Sequence, residues 1–393
     1  MRCRRCSSSA ATGCSARTAA SSSHCWTMRR CTSGSGRSPP SPTRFPIPMT
    51  EGDGHTGSRR GAGSARHESG WLTYGPARTL LDSLDGTLAE FARSDDVRLS
   101  EVAEHLLRRG GKRVRPALLF TAAGAASPAG SAPADDDLLT AAAAIELLHV
   151  AALYHDDVMD RAEMRRGVST VNALRGDAEA LTAGTFLFAR AIRMLVELDG
   201  WLADWASQSA LALALGQLQE AENTYNVGHR LDSYMQIAAR KTAALFELSC
   251  RAGAHLAGAS QETAEALGLY GRVLGLAFQA VDDTLDITAD GDSGKRPGID
   301  LREGVYGLPV LLVLQLKTAE ADRLRRILQR DDLDEAGQAE ARDLVIAAGG
   351  VTGAVKVAHG YGQEAVSRIA ALAASDAKES LIRLPQYVVL RRH

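Results

Sequence analysis

Two short acidic clusters, Asp156-Asp157-Val158-Met159-Asp160 and Asp282-Asp283-Thr284-Leu285-Asp286, constrain this chain more than any other feature. Each sets carboxylates at i, i+1 and i+4 within an otherwise apolar, helix-forming stretch. On an α-helix, positions i and i+4 share a face and i+1 lies one step round it. Three carboxylates so crowded repel one another unless cations neutralise them, and near a helix C-terminus they also oppose the macrodipole. Oxygen-only donor sets suit Mg2+, which takes one or two carboxylates, keeps several waters and completes its shell with phosphate oxygens. Two such helix faces in one domain could bracket a diphosphate.

The rest of the chain supports helices around a large core. Apolar residues make up 45% of the 393 positions and aromatics only 5%, a balance that favours packed Ala/Leu helices over sheets. No alternating strand pattern of any length appears, so the fold class is all-α. A net charge of -2 gives no case for nucleic acid, and no basic stripe with interleaved aromatics is present. No apolar run approaches the roughly 20 residues of a membrane span, so no transmembrane segment is expected. Five of the six cysteines precede residue 32, which leaves Cys250 as a small buried hydrophobe.

Residues 1–70 read as a disordered extension that cannot bury enough apolar surface to fold. Its stretch before Met49 is rich in Arg and Ser and has no acid. That fits a transit peptide or a start codon placed too early, and the excess of Arg over Lys with abundant Ala favours the latter. Residues 71–393 read as one folded domain. Leu80, Leu81, Leu84, Leu88 and Phe91 mark a first core helix, and further helices are predicted over 139–160, 174–225, 232–257, 262–288, 309–330 and 335–348. Breakers at Gly228, Gly258, Gly291–Gly298 and Gly349-Gly350 separate several of them.

Cationic segments accompany the clusters. In Gly110-Gly111-Lys112-Arg113-Val114-Arg115-Pro116 the glycines permit close approach while Lys112 and Arg115 can hold a phosphate. Arg165-Arg166-Gly167 follows the first cluster directly. Lys241-Thr242 lies inside an apolar helix, His149 lies on the helix leading to Asp156, and Gln279 sits one turn before Asp282. Taken singly, each also reads as a solvated loop, a helix cap or a satisfied core residue.

Together these segments resemble the trans-isoprenyl diphosphate synthases of the polyprenyl synthetase family, from about residue 75 to the C-terminus. The matching stretches are 110–116, 146–167, 241–242, 278–290 and 294–304. The resemblance implies a helical bundle around a deep central apolar cavity, a homodimer, and condensation of isopentenyl diphosphate with an allylic diphosphate. It implies Mg2+ ligation by Asp156, Asp157, Asp160, Asp282, Asp283 and Asp286, which with Lys241 form the catalytic set. It assigns isopentenyl diphosphate to Lys112, Arg115, His149 and Arg166, and the allylic diphosphate to Arg165, Lys241, Thr242, Gln279 and Lys295. Two departures stand out. Relatives often read EGKxT where this chain has Glu303-Gly304-Val305-Tyr306-Gly307, and Thr185 replaces a frequent aspartate.

Product length should depend on the helix face before Asp156. Relatives that stop early carry a bulky aromatic four or five positions upstream; here Ala151 and Ala152 occupy those positions, with Leu148 a turn further back. An open floor of this kind resembles long-chain synthases, with a geranylgeranyl diphosphate synthase as the alternative and Phe186 and Phe188 as other possible stops. A class I terpene cyclase shares the helical fold but needs neither a second aspartate cluster nor an isopentenyl site. A non-catalytic partner subunit should have lost aspartates. Cytoplasmic localisation is expected, with membrane association as a route for releasing an apolar product.

Overall fold

The computed structural model describes residues 70–127, 133–288, 298–330 and 333–391. The expected N-terminal extension, up to residue 69, and Lys295 lie outside the described residues. Among the described residues the chain forms sixteen α-helices: α1 Gly75–Phe91, α2 Val97–Glu104, α3 Val114–Ala126, α4 Asp135–Met159, α5 Val171–Arg175, α6 Asp177–Leu198, α7 Gly200–Glu222, α8 Leu231–Ala238, α9 Ala244–Leu256, α10 Gln261–Thr288, α11 Ile299–Arg302, α12 Leu308–Leu314, α13 Ala319–Leu328, α14 Glu335–Ala347, α15 Gly350–Arg368 and α16 Asp376–Leu390. The predicted all-α class is what the chain adopts. The single exception among those residues is a two-residue antiparallel ribbon, Met164–Arg165 with Val168–Ser169, too short to leave an alternating pattern.

The predicted first helix is α1, and its stripe buries Leu80, Leu81, Leu84 and Leu88. Two predicted helices are broken. The 174–225 stretch turns at Asp199, whose carboxylate caps α7 by accepting from the amides of Trp201 (2.7 Å) and Leu202 (3.4 Å). The 309–330 stretch breaks before Thr318, whose hydroxyl accepts from the Ala321 amide and starts α13. In both places apolar periodicity runs through the cap and hides it.

Central helices α3, α4, α9 and α10 are buried on most faces, so close backbone approach decides their crossings. A side chain at Gly253 of α9 would place its Cβ 2.1 Å from the Leu119 carbonyl oxygen of α3, and one at Gly271 of α10 would lie 2.4 Å from the Phe246 carbonyl oxygen of α9. The Tyr270 hydroxyl donates to the Leu381 carbonyl at 2.7 Å and ties α10 to α16. By length and composition α4 is apolar enough to cross a membrane, contrary to the expectation that no such run exists. Two thirds of that apolar window (67%) is buried inside the protein, which is how a core helix of a helical bundle satisfies the same test.

Candidate active site

Helix α4 delivers the first cluster at its C-terminal end, with Asp160 as the C-cap. Asp157 is buried, and one of its carboxylate oxygens accepts from Arg165 on the ribbon. The other, Oδ2, is buried without a hydrogen-bond partner. Asp156 is half-buried, and burial raises its carboxyl to about 6 against the pull of Lys241. A buried carboxylate oxygen with no donor and a carboxyl whose charged form burial disfavours are both features that a bound cation would compensate.

Helix α10 carries the second cluster. Asp282 is exposed and accepts from the Arg391 guanidinium at 2.6 Å. That guanidinium also lies 3.8 Å over the Phe278 ring. Asp286 is half-buried. Asp283 is enclosed, and three donors occupy it: the Tyr234 hydroxyl (2.5 Å) and Leu308 amide (2.7 Å) at Oδ2, and the Gln279 amide nitrogen (2.8 Å) at Oδ1. Nearby Asp300 is pushed well above the usual carboxylate range by burial, then by the charges of Asp286, Asp283, Glu303 and Glu220.

Lys241 and Thr242 lie on a π-helical turn, Ala239–Ala243, between α8 and α9. Such turns are short, strained and frequent at functional sites. Lys241 forms an ion pair with Glu220 near the end of α7. Burial works against the ammonium, but Glu220, Asp156 and then Asp160 outweigh it and hold the lysine charged. The Thr242 hydroxyl donates to the Gln279 carbonyl oxygen at 2.5 Å.

The basic residues assemble around His149, about two turns before Asp156 on α4. Arg113, in the left-handed region at φ 45°, is buried and donates to the buried Glu146 at 2.7 Å and to Asp85 at 2.9 Å. This pins the Gly110–Arg113 turn. The Arg166 guanidinium donates to the Gly110 carbonyl at 2.6 Å, and a Cβ on Gly111 would sit 3.2 Å from it. Arg115 packs its guanidinium 5.2 Å from the Phe246 ring centre, has a buried Nε without a partner, and is lowered to about 10 by burial. His149 is pushed far below its usual range, first by burial and then by Arg115, Arg166, Arg165 and Arg113, so its ring is neutral at physiological pH. Lys112 is exposed on the same turn.

The predicted residues thus fall into an anionic group on α4 and α10 and a cationic group around His149, with Lys241 beside the first aspartates. Of the three positions tied to product length, Leu148 and Ala151 are enclosed, while Ala152 keeps partial exposure. Sequence reading missed Glu220, Tyr234, Glu146, Arg391 and the site-facing acid Asp300. None stands out by composition, because each is identified by a partner far along the chain. Among the described residues no three carboxylate, imidazole or thiol groups converge into a closed metal set. The carboxylates nonetheless fit a hard cation that shares its shell with water and a bound diphosphate.

Comparison with known proteins agrees with this geometry. The Polyprenyl synthetase family profile matches residues 96–345. The chain is 36% identical over 303 residues to a nonaprenyl diphosphate synthase of Mycobacterium tuberculosis, covering 77% of this chain and 89% of that one. It is 34% identical over 306 residues to an octaprenyl diphosphate synthase of Haemophilus influenzae, covering 76% and 90%. Its fold is similar to a polyprenyl synthase from Caulobacter crescentus solved with calcium and isoprenyl diphosphate, with TM-score 0.76, 33% identity, and coverage of 81% of this chain and 96% of that one.

Proposed function

The chain belongs to the polyprenyl synthetase family and is a prenyltransferase that makes prenyl diphosphates; we propose that it joins isopentenyl diphosphate head-to-tail to an allylic diphosphate and releases a long all-trans polyprenyl diphosphate. The observation that carries this reading is the pairing of two surfaces. Carboxylates on α4 and α10, with Lys241 among them, form one, and Arg115, Arg166 and neutral His149 form the other. Two polyanions need two such surfaces held at a fixed spacing.

Mg2+ is the cation we assign. Asp156, Asp157 and Asp160 would hold it on one side, Asp282 and Asp286 on the other. When bound it supplies positive charge to the departing allylic diphosphate. The protein's own groups do the remainder. Lys241, Thr242, Arg165 and Lys295 receive the allylic diphosphate, and Lys241 stays charged because Glu220 compensates its burial. Lys112, Arg115, Arg166 and the neutral ring of His149 receive isopentenyl diphosphate, with His149 donating one hydrogen bond without adding to the crowded positive charge. As the allylic carbon becomes cationic, the oxygens of Thr242 and Gln279 stabilise it without bonding to it. The isopentenyl double bond attacks, and the proton lost from the adduct passes to the released diphosphate.

A long product follows from the small side chain at Ala152, the one residue of the length-determining trio with an accessible surface. The names of the relatives support the same length class. The apolar residues Leu211, Leu215 and Leu218, exposed on one face of α7, support a homodimer. A product of this kind partitions into lipid, so we place the enzyme in the cytoplasm with release at a membrane surface.

The test is elongation of isopentenyl diphosphate with Mg2+ and, separately, dimethylallyl, geranyl, farnesyl and geranylgeranyl diphosphates, with product lengths read by mass. Long polyprenols that vanish in Asp156→Ala and Asp282→Ala are the expected result. Products that stop at geranylgeranyl would refute the length assignment, and a cyclic hydrocarbon or no elongation would refute the function.

A further inference from the structure

We infer that Asp283 is a positioning residue whose task is to set the polarity of the Gln279–Thr242 pair, so that oxygen rather than N–H faces the reacting allylic carbon. The inference rests on the proposed function and deepens it. Four hydrogen bonds on these side chains make a directional chain. The Thr242 hydroxyl donates to Gln279 Oε1, Gln279 Nε2 donates to Asp283 Oδ1, and Asp283 Oδ2 accepts from both the Tyr234 hydroxyl and the Leu308 amide. Asp283 and Tyr234 are buried, whereas Gln279 and Thr242 keep partial exposure.

The direction of this chain is forced from its buried end. An ionised carboxylate only accepts, and the Leu308 amide only donates. Gln279 must therefore turn its NH2 toward Asp283, which leaves its carbonyl oxygen toward Thr242. That oxygen accepts the hydrogen bond from the Thr242 hydroxyl, and the lone pairs of the threonine oxygen are left on the accessible side. Were the amide reversed, its NH2 would donate to Thr242, and the threonine O–H would point a positive end at a developing carbocation. Three protein donors occupy Asp283, two on Oδ2 and one on Oδ1, so at most one acceptor position, on Oδ1, remains for a cation.

Gly307 makes the arrangement possible. A Cβ there would lie 2.7 Å from Asp283 Oδ2, so the residue before Leu308 must lack a side chain for the carboxylate to reach the Leu308 amide. The departure from the EGKxT pattern at Gly307 is matched by the seat of Asp283.

The experiment compares Asp283→Asn, Tyr234→Phe and the double variant Asp283→Asn/Gln279→Glu in the full chain. The probes are farnesyl diphosphate, isopentenyl diphosphate and Mg2+. In Asp283→Asn the new NH2 faces Gln279 and reverses its amide. We expect kcat to fall about 100-fold, the size of losing one aligned dipole, with both KM values and the Mg2+ half-saturation within about two-fold of the parent. In the double variant the carboxylate introduced at position 279 accepts both from the amide NH2 introduced at position 283 and from the Thr242 hydroxyl, so kcat should recover about ten-fold or more. Tyr234→Phe leaves two of the three donors and the shape of the site. Its kcat should fall several-fold with unchanged Mg2+ dependence, and it keeps the test open if Asp283→Asn does not fold. A rise of about ten-fold in Mg2+ half-saturation for either single variant, or no rescue in a folded double variant, would overturn the inference. An active parent with those results refutes the relay alone, while a parent that elongates no primer refutes the proposed function itself.

Discussion

Removing the Glu146 carboxylate should unfold this enzyme more readily than its small size suggests, because it strands a buried charge. The Arg113 side chain is 1% exposed and that of Glu146 3%, and they meet at 2.7 Å. In Glu146→Ala the guanidinium keeps Asp85, whose side chain is 65% exposed, and a weak bond to the Leu107 carbonyl at 3.3 Å. Breaking a buried ion pair costs about 3–5 kcal/mol, since the remaining charge is neither solvated nor paired. Asp85 softens that loss, so about 3 kcal/mol is expected, which for a domain of this size lowers Tm by about 6 °C. Replacing both partners in Arg113→Met/Glu146→Met removes the stranded charge, and the double variant should be clearly more stable than Glu146→Ala. Urea and thermal melts of the parent and both variants, followed by far-UV circular dichroism, measure this. A loss below about 1 kcal/mol for Glu146→Ala, or a double variant no better than the single one, would refute the argument that the pair is buried and mutually dependent.

Three further outcomes follow from the same geometry. Asp156 titrates at about 6 in the fold against 3.8 as its ordinary value, so the folded state holds its proton longer than the unfolded chain does. Stability of the metal-free enzyme should therefore fall as pH rises from about 4 to 6 and then level, by up to about 3 kcal/mol from this group. Because Mg2+ needs the ionised form, added Mg2+ should raise Tm more at pH 7.5 than at pH 5, and an equal rise at both would contradict the assignment. Gly253→Ala should destabilise by about 3 kcal/mol, the upper end for overpacking, because its Cβ meets backbone 2.1 Å away; a neutral thermal melt would show that the α3–α9 crossing is looser than described. Ala152→Phe should shorten the product series while leaving the first condensation intact, as read by mass; unchanged lengths would move the length-determining surface elsewhere.

Both aspartate clusters, the GGKRVRP turn and the Lys241-Thr242 pair were legible because their meaning is local. Carboxylates at i, i+1 and i+4 on a helix fix their own relative placement, whatever that helix later packs against. The all-α class was legible for the same reason, since helical periodicity needs only neighbours. Breaks at Asp199 and Thr318 were not, because a cap competes with an apolar pattern that continues across it. The partners were not legible at all. Glu220 becomes the counter-charge of Lys241 across 21 positions, Tyr234 reaches Asp283 across 49, and Glu146 reaches Arg113 across 33. Sequence alone determined which charges the chain must carry, and only the tertiary structure decided which of them neutralise each other within the protein and which remain for substrate. The physical reason is that an ion pair or a buried hydrogen bond depends on distance and on exclusion of water, and both are set by helix packing rather than by order along the chain.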